Sequence, residues 1–266
     1  MVTATTSTAK ASTFLLIFAF ALSFLYTQMP IDHSKSIRSN PVPLQQSHTI
    51  CTYFEPLGLN PEDDNRTLET VGLWRQSWIQ QGWDTKVLTE KDAALHPDYQ
   101  TIKDKLLKLP TVNTQAYEMS CYLRWVAAVA TGCKWMSDVD MINYGFPAQP
   151  TWKGDKLFSF EGHTPSLVTG STLAFQSIVN AFLEVAANPV PPSVVQESGR
   201  PHTSDMIILS EHRHLIVDLR YPAHLSYDNP AINNSVLVHF AAGSVRQYSG
   251  VAGMSKADMI RRFRPL

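Results

Sequence analysis

The sequence has almost no excess charge. Its 22 Lys and Arg residues are balanced by 23 Asp and Glu residues, which gives a formal net charge of −1 over 266 residues. Because nucleic acids attract strongly basic surfaces, this balance gives no support for bulk nucleic-acid binding. Only one short run is rich in basic residues, Arg261-Arg262-Phe263-Arg264. We expect this run to be a solvated tail, and coverage of a diphosphate is its alternative role.

Cysteines are few, and internal repeats and low-complexity tracts are absent. The three cysteines are Cys51, Cys121 and Cys133. In an oxidising compartment Cys121 and Cys133 could pair, and all three could equally be small buried residues. Their odd number leaves at least one thiol unpaired within the chain. The composition, 44% hydrophobic and 17% charged, is sufficient for one globular domain of about 200 residues plus further segments.

The apolar run near the N-terminus is short, with 13 residues from Phe14 to Tyr26. A full membrane span needs about 20 residues, so the run suits the apolar region of a signal peptide better. A short signal anchor is the other interpretation, and both take the chain into the secretory pathway. The predicted organisation is a cytosolic tail (1–13), a signal anchor or signal peptide (14–26), a stem or linker (27–47) and a globular domain (48–266).

Two carboxylates stand one residue apart in Met136-Ser137-Asp138-Val139-Asp140. In an extended segment, residues i and i+2 point to the same side, so Asp138 and Asp140 can present their oxygens to one point. Two carboxylates that lie so close to each other need a compensating metal cation or an Arg side chain. Mn²⁺ or Mg²⁺, with substrate phosphates completing its coordination, fits that need. An acidic turn at the end of a buried strand is the alternative interpretation.

The residues around the acid pair predict an α/β sheet. Apolar residues at helical spacing predict a helix over 115–130, and Gly132 is well placed to end it. The segment 134–142 is then predicted to be a short buried strand with the acids near its carboxyl end. In sheets of this class, ligands bind beyond the carboxyl ends of the strands.

Other segments extend this pattern into a mostly parallel sheet flanked by helices. A strand over 48–55, a helix over 69–81 and a strand over 83–90 form a β-α-β unit, which implies a right-handed crossover and parallel strands. The further predicted elements are one or two helices in 92–109, strands over 156–160, 205–209, 215–219 and 235–240, a helix over 172–187, and loops over 163–171 and 188–202.

The stretch that ends at the acid pair resembles the DXD region of GT-A fold glycosyltransferases. It is most similar to the sugar transferases related to yeast α-1,6-mannosyltransferase, which have a Ser-Asp-x-x-Arg-Tyr helix, a glycine pair and an acid pair. Here the helix motif is Ser120-Cys121-Tyr122-Leu123-Arg124-Trp125, in which the Arg matches and Cys121 replaces the Asp. Only Gly132 represents the glycines. The resemblance covers roughly residues 48 to 245 and implies a single-domain, Rossmann-like GT-A fold.

The resemblance implies a metal site. It makes Asp140 the direct ligand of Mn²⁺ or Mg²⁺, while Asp138 binds the donor's ribose or the metal through water. His239, Gly243 and Arg246 are similar to the His-x-x-Gly-x-x-Lys element that closes the metal site in several GT-A families, with Arg246 as a donor contact. Neutral imidazole is a good ligand for such metals. A core histidine bonded to a backbone carbonyl is the alternative for His239.

The resemblance also implies contacts with a nucleotide-sugar donor. Thr52, Tyr53 and Phe54, at the end of the first predicted strand, are candidate contacts of the nucleoside. An aromatic core is the alternative role of Tyr53 and Phe54. Arg124 can face the donor's phosphates or sugar, and its alternative role is a salt bridge to Asp138.

Three acids, Glu161, Glu197 and Asp205, are candidates for orienting the acceptor or for acting as the catalytic base. Asp205 is the preferred one, because its segment precedes a predicted strand and resembles the acidic loop that GT-A enzymes place below the sugar. The predicted reaction is metal-dependent, hexosyltransferase-like transfer of a sugar from a nucleotide-sugar donor to a hydroxyl of a glycan, protein or lipid.

The resemblance to Golgi transferases favours a Golgi membrane protein with a lumenal domain, attached through its N-terminal segment. Secretion is the alternative. Sequons that begin at Asn65 and Asn233 agree with lumenal exposure.

Three other functional classes stay open. A non-catalytic protein that binds glycans or nucleotide sugars is one of them. A D-x-D phosphatase would carry its acids after the first strand. A nucleotidyltransferase would show a glycine-rich loop near the first strand, where this chain has Leu57-Gly58-Leu59.

Overall fold

The computed structural model describes residues 48–58, 60–188, 201–220, 223–224, 230–242, 245, 254–264 and 266. The predicted tail, anchor and stem lie outside the described residues, as do Glu197, Gly243 and Arg246. Within the described ranges, every helix is too short or too polar to span a bilayer.

The described residues form the following strands and helices. The strands are β1 (Thr49–Tyr53), β2 (Asp84–Leu88), β3 (Trp135–Ser137), β4 (Met141–Asn143), β5 (Leu157–Ser159), β6 (Leu167–Thr169), β7 (Ile216–Asp218), β8 (Ala223–His224) and β9 (Leu237–His239). The α-helices are α1 (Pro61–Gln80), α2 (Glu90–Ala93), α3 (Tyr99–Leu106), α4 (Gln115–Thr131), α5 (Thr172–Ala187), α6 (Asp205–Glu211) and α7 (Lys256–Phe263).

The main sheet has six strands in the order β2-β1-β3-β6-β5-β7, and only β6 runs against the others. A second sheet has the order β4-β9-β8, with β4 antiparallel and β8 parallel to β9. Helices flank the main sheet. The predicted α/β class with a mostly parallel sheet is therefore confirmed, and the arrangement is compatible with a Rossmann-like fold.

Local residues set the ends of the two helices beside the acid-bearing segment. The side chain of Asn60 caps α1 by accepting a hydrogen bond from the backbone N–H of Glu62. Thr114 caps α4 in the same way through the N–H of Tyr117. α4 ends at Gly132, whose φ of 68° lies in the left-handed region that favours glycine. The predicted stop at Gly132 is confirmed.

The core consists of two apolar clusters on opposite faces of the main sheet. Consecutive strand residues fall into different clusters, as Trp135 and Met136 do in β3, because successive side chains in a strand point to opposite faces. One cluster packs beneath α3, α4 and α5, and the other beneath α1 and α7.

Two buried tryptophans of α1 hold the segment that carries the acids. The indole N–H of Trp74 donates to the Ser137 hydroxyl at 2.8 Å, and that of Trp78 donates to the carbonyl of Met141 at 3.0 Å. These bonds flank Asp138 and Asp140 on both sides. The large buried rings therefore fix the backbone of the acid pair as well as filling the core.

The acid pair lies in a turn and not in one continuous strand over 134–142, so that prediction was wrong. β3 ends at Ser137, and β4 begins at Met141 in the other sheet. The N–H of Asp138 donates to the carbonyl of Ser166 at 2.8 Å, and the N–H of Met141 returns to the carbonyl of Asp138 at 3.1 Å. The turn therefore presents both carboxylates at the end of β3.

Two further predicted elements have a different structure. The segment 205–209 is the first part of helix α6 and not a strand, because the Ser204 hydroxyl caps it by accepting from the N–H of Ile207. The segment 163–171 contains strand β6 and is not only a loop. Its residues Leu167 and Val168 are fully buried between β3 and β5.

The disulfide joins Cys51 to Cys133, with 6.5 Å between their Cα atoms, and Cys121 is free. The pairing of Cys121 with Cys133 was therefore wrong. Cys121 lies within α4, and the part of that helix from Cys121 to its end at Thr131 is about 15 Å long, which keeps Cys121 away from Cys133. β1 pairs with β3 in parallel with Cys51 opposite Met136, and Cys133 lies two residues before β3 begins.

The basic run at 261–264 is not a solvated tail. It begins in the last turn of α7, whose Met259 and Ile260 are fully buried. The guanidinium of Arg264 lies 4.4 Å from the ring centre of Tyr144. Arg261 forms an exposed salt bridge with Glu69 of α1 at 3.3 Å. The run therefore belongs to the packed domain.

Candidate metal centre and adjoining cleft

Asp138, Asp140 and His239 form a group that could hold a metal ion. Each residue offers one ligand atom, and these atoms all lie within 4.8 Å of one another. The His239 Nε2 lies 3.4 Å from Asp140 Oδ1 and 3.9 Å from Asp138 Oδ2. Two carboxylates and an imidazole are a donor set that suits divalent cations of the Mn²⁺ type.

Strand pairing brings His239 to the acid pair from nearly a hundred residues further along the chain. β9 lies antiparallel to β4, and His239 is the partner of Met141 in that register. The backbone N–H of Phe240 donates to the carbonyl of Asp140 at 2.9 Å. The structure thus places His239 where the sequence predicted it, although its role as a metal ligand stays a prediction.

The second ring nitrogen of His239 has a carboxylate partner. His239 Nδ1 lies 2.9 Å from Glu161 Oε2, which also accepts a hydrogen bond from the Ser166 hydroxyl. Metal-binding histidines often donate their other N–H to a carboxylate in this way, which fixes the ring. Burial alone would lower the pKa of His239, but Asp140, Glu161 and Asp138 raise it to about 10 without a metal.

Two cations from different helices contact the acid pair. Lys256, the first residue of α7, forms an ion pair with Asp140 Oδ2. Arg124 of α4 forms an ion pair with Asp138 Oδ1 and a second one with Asp205 Oδ2. Burial would raise the pKa of Asp140, but Lys256 and His239 hold it well below its usual range. Burial keeps the pKa of Asp138 raised despite Arg124.

Asp205 is buried and accepts hydrogen bonds from three groups. These are the guanidinium of Arg124, the indole N–H of Trp125 at 3.2 Å and the backbone N–H of Met206 at 2.8 Å. Such contacts occupy a carboxylate and hold its partners in place. Asp205 is therefore linked to Asp138 through Arg124, and its contacts are those of a residue that positions Arg124, while its role as a catalytic base stays a prediction.

A cleft of about 360 Å³ opens beside the acid pair. Its lining includes Asp138, Asp140, Arg124, Lys256 and Asp205, together with both aromatic residues at the end of β1, Tyr53 and Phe54. The cleft therefore combines carboxylates, cations and aromatic rings.

Thr52 does not line this cleft. It is fully buried, and its hydroxyl has no hydrogen-bond partner among the described residues. Its expected contact with a nucleoside is therefore not seen, because the alternation of β1 turns its side chain into the core. Glu161 lies against His239 and is absent from the lining of this cleft.

Sequence reasoning missed two residues of the site, Lys256 and Glu161 as the partner of His239. Lys256 has no motif of its own, and its only local signal is Ser255, which caps α7 by accepting from the N–H of Asp258. Arg246 and Glu197 lie outside the described residues, so their predicted roles have no structural counterpart here.

Comparison of the chain with protein-family models, with curated proteins and with solved structures found no match.

Proposed function

We propose that this protein is a metal-dependent glycosyltransferase that moves a sugar from a nucleotide-sugar donor to a hydroxyl acceptor. The observation that carries the proposal is the group Asp138, Asp140 and His239 at the end of β3, beside a cleft that also contains Arg124 and Lys256. A mostly parallel α/β sheet binds its ligands at such strand ends. A GT-A type of Rossmann-like fold is part of the same proposal.

The donor set fits Mn²⁺ or Mg²⁺, with Asp140 and His239 as direct ligands and Asp138 as a ligand directly or through water. A divalent metal at this position would supply Lewis-acid stabilisation of a leaving diphosphate. Glu161 orients the imidazole of His239 through Nδ1, so that Nε2 faces the carboxylates. The turn between β3 and β4 holds both aspartates in place before any ligand arrives.

Arg124 and Lys256 provide the protein's own positive charge for a diphosphate. Both line the cleft, and both contact the acid pair in the protein without ligands. A bound metal would neutralise the aspartates, which would leave these cations able to pair with phosphate oxygens. Asp205 keeps Arg124 in position through its second ion pair. Tyr53 and Phe54 would contact the nucleoside at the end of β1.

The proposal is tested by measuring nucleotide-sugar binding. A panel of nucleotide sugars is added with and without MnCl₂, and the melting temperature is recorded for the wild type and Asp140→Asn. At least one nucleotide sugar should raise the melting temperature in a metal-dependent manner, and release of its nucleoside diphosphate should accompany transfer. Asp104→Asn on α3 is an exposed control and should behave like the wild type.

If no nucleotide sugar in the panel raises the melting temperature of the protein, the proposal is contradicted. Metal-dependent binding without turnover would instead favour a non-catalytic nucleotide-sugar-binding protein. An equal response of Asp140→Asn and the wild type would rule out the metal centre.

The proposed location is the lumen of the secretory pathway, probed through the two sequons. Asn65, in the second turn of α1, and Asn233 are both exposed, so an oligosaccharyltransferase could reach them. Peptide N-glycosidase should increase the gel mobility of the protein from a eukaryotic host, and Asn65→Gln with Asn233→Gln should remove the shift. Protease protection in sealed microsomes gives an independent readout, and a fully accessible C-terminal region would contradict a lumenal domain.

A further inference from the structure

A second cleft adjoins the first one. Its volume is about 430 Å³, which falls within the usual range for small-molecule sites in proteins. Four residues line both clefts, namely Tyr117, Cys121, Asp205 and Met206. A molecule in the second cleft would therefore lie next to a donor in the first cleft, with these four side chains at the edge that the clefts share.

The shared rim exposes two apolar side chains. Tyr117 of α4 is 50% exposed and Met206 of α6 is 40% exposed. An aromatic ring and a thioether that stay accessible at the rim of a cleft are typical of a ligand surface, because an aromatic ring offers an apolar face with a polar hydroxyl. Flat ligands with both C–H and O–H groups suit such a surface.

The inner wall of the second cleft carries two buried polar side chains, Glu118 and His202. The amide of Asn113 donates to Glu118 Oε1 at 2.5 Å, while Oε2 has no partner among the described residues. His202 Nδ1 accepts from the backbone N–H of Val112 at 3.4 Å, so the neutral ring carries its proton on Nε2. That Nε2 lies 4.0 Å from Glu118 Oε1.

A hydroxyl group of a ligand could bridge Glu118 and His202. Two heavy atoms 4.0 Å apart can both bond to one oxygen that lies about 2.8 Å from each. Such an oxygen could accept from His202 and donate to Glu118, which is the pattern of an alcohol and not of an anion. Glu118 Oε1 accepts from Asn113 and has a second lone pair, so a ligand hydroxyl between Oε1 and His202 Nε2 would add a hydrogen bond to each group.

The charges of the two clefts differ. The first contains Arg124 and Lys256, whereas no Lys or Arg occurs among the described residues that line the second. Two acids, Glu118 and Asp205, lie in its wall. An anionic ligand is therefore disfavoured in the second cleft.

We propose that the second cleft binds a neutral carbohydrate, with the sugar ring against Tyr117 and its hydroxyls bonded to Glu118 and His202. If the proposed function holds, on which this role rests, the carbohydrate is the acceptor, and its reacting hydroxyl reaches the donor over the rim that the two clefts share. The proposal identifies the acceptor class as a glycan rather than a protein or a lipid headgroup.

The test is saturation-transfer NMR with methyl glycosides of neutral hexoses and a methyl glucuronide. Each probe is measured alone and with MnCl₂ plus UDP or GDP. The proteins are the wild type, Tyr117→Ala, Tyr117→Phe and Glu118→Gln, and the control is Leu173→Ala, which removes a 75% exposed side chain on α5. Thermal melts verify that each variant is folded. Because Tyr117 is half-exposed, Tyr117→Ala is expected to change the stability of the fold only slightly.

At least one neutral hexoside should bind the wild type, Tyr117→Phe and Leu173→Ala. Its affinity should fall at least about fivefold in Tyr117→Ala and Glu118→Gln, since a stacked ring and a buried hydrogen bond are each worth about 1 kcal/mol or more. The proposal is overturned if no neutral hexoside binds, if Tyr117→Ala binds as the wild type does, or if the glucuronide binds best.

A parallel measurement of nucleotide-sugar binding by the same protein variants separates the two proposals. Binding of a hexoside without binding of any nucleotide sugar would contradict the glycosyltransferase and leave the carbohydrate site in place. Binding of a nucleotide sugar but of no hexoside would contradict the carbohydrate site and leave the glycosyltransferase proposal in place.

Discussion

Replacing Lys256 with Met should make the metal-free protein less stable and its metal binding tighter. Lys256 pairs with Asp140, whose side chain is 8% exposed, while that of Lys256 is 34% exposed. Met retains most of the apolar stem of Lys, so the substitution removes mainly the charge. The metal-free protein then keeps a buried carboxylate with one cationic partner fewer.

The size of the stability change lies between two limits. Removing one partner of a fully buried ion pair costs about 3–5 kcal/mol, whereas an exposed pair contributes about 0.2–1 kcal/mol. Lys256 is one-third exposed, and His239, 3.4 Å from Asp140, also compensates its charge. We therefore expect the free energy of unfolding to fall by about 2 kcal/mol.

The metal affinity should change in the opposite direction. Lys256 repels a divalent cation at the acid pair and competes with it for Asp140. Relief of about 1.4 kcal/mol of that competition would tighten Mn²⁺ binding about tenfold. Saturating Mn²⁺ should accordingly restore part of the lost stability, because a ligand that binds only the folded state stabilises it.

Urea unfolding without metal and calorimetric titration with MnCl₂ measure both effects. Lys105→Met is the matched control, because Lys105 is an exposed residue of α3. If Lys256→Met leaves both the unfolding midpoint and the Mn²⁺ affinity at the wild-type values, Lys256 does not compensate Asp140. Weaker Mn²⁺ binding in the variant would refute the competition argument directly.

Three other perturbations have defined outcomes. Reducing the Cys51–Cys133 disulfide, whose residues are 82 positions apart, should lower the free energy of unfolding by about 4.5 kcal/mol in the chain-entropy treatment. An unchanged urea midpoint with and without reductant would refute this prediction. Glu161→Gln should weaken Mn²⁺ binding about ten- to hundredfold, because the imidazole of His239 loses its charged partner. Titration calorimetry measures this, and an unaltered Mn²⁺ affinity would argue that Glu161 does not orient His239. Burial raises the pKa of Glu118, so the folded state binds its proton more tightly than the unfolded state, and this stabilisation is lost as pH rises through the folded pKa. Glu118→Gln should therefore gain stability relative to the wild type as pH rises above the usual carboxyl pKa in urea unfolding, and a constant difference would exclude the linkage.

The local parts of the site could be predicted from the sequence. Asp138 and Asp140 form a short motif, and the helix that carries Arg124 has clear periodicity with a glycine stop. His239 could be proposed from a loose pattern after an apolar strand. In each case the informative residues lie close together in the chain, where spacing and capping are sufficient.

The partners of those residues could not be predicted, because they depend on non-local pairing. The register between β4 and β9 places His239 beside the acid pair, and β9 has no feature that specifies β4 as its neighbour. Glu161 and Lys256 reach the site from β5's end and from α7, far apart in the sequence. Their roles follow from tertiary packing alone.

Two errors have local causes. The apolar residues on both sides of the acid pair predicted one continuous strand. Two backbone hydrogen bonds, from Asp138 N–H to the Ser166 carbonyl and from Met141 N–H to the Asp138 carbonyl, instead form a turn that interrupts it. Ile207 and Ile208 favoured a strand by β-propensity, but the cap at Ser204 and the burial of Ile208 and Leu209 on one helix face prevail.

The packing of α7 against α1 has a consequence for biosynthesis. α1 follows the first strand of the domain, yet its apolar face is covered by the last helix described. The same late segment brings Lys256 to Asp140. At about 5–20 residues per second, a ribosome needs several seconds between synthesis of Asp140 and synthesis of Lys256. During this interval the part of α1 that α7 covers is accessible to chaperones, and Asp140 lacks its lysine partner.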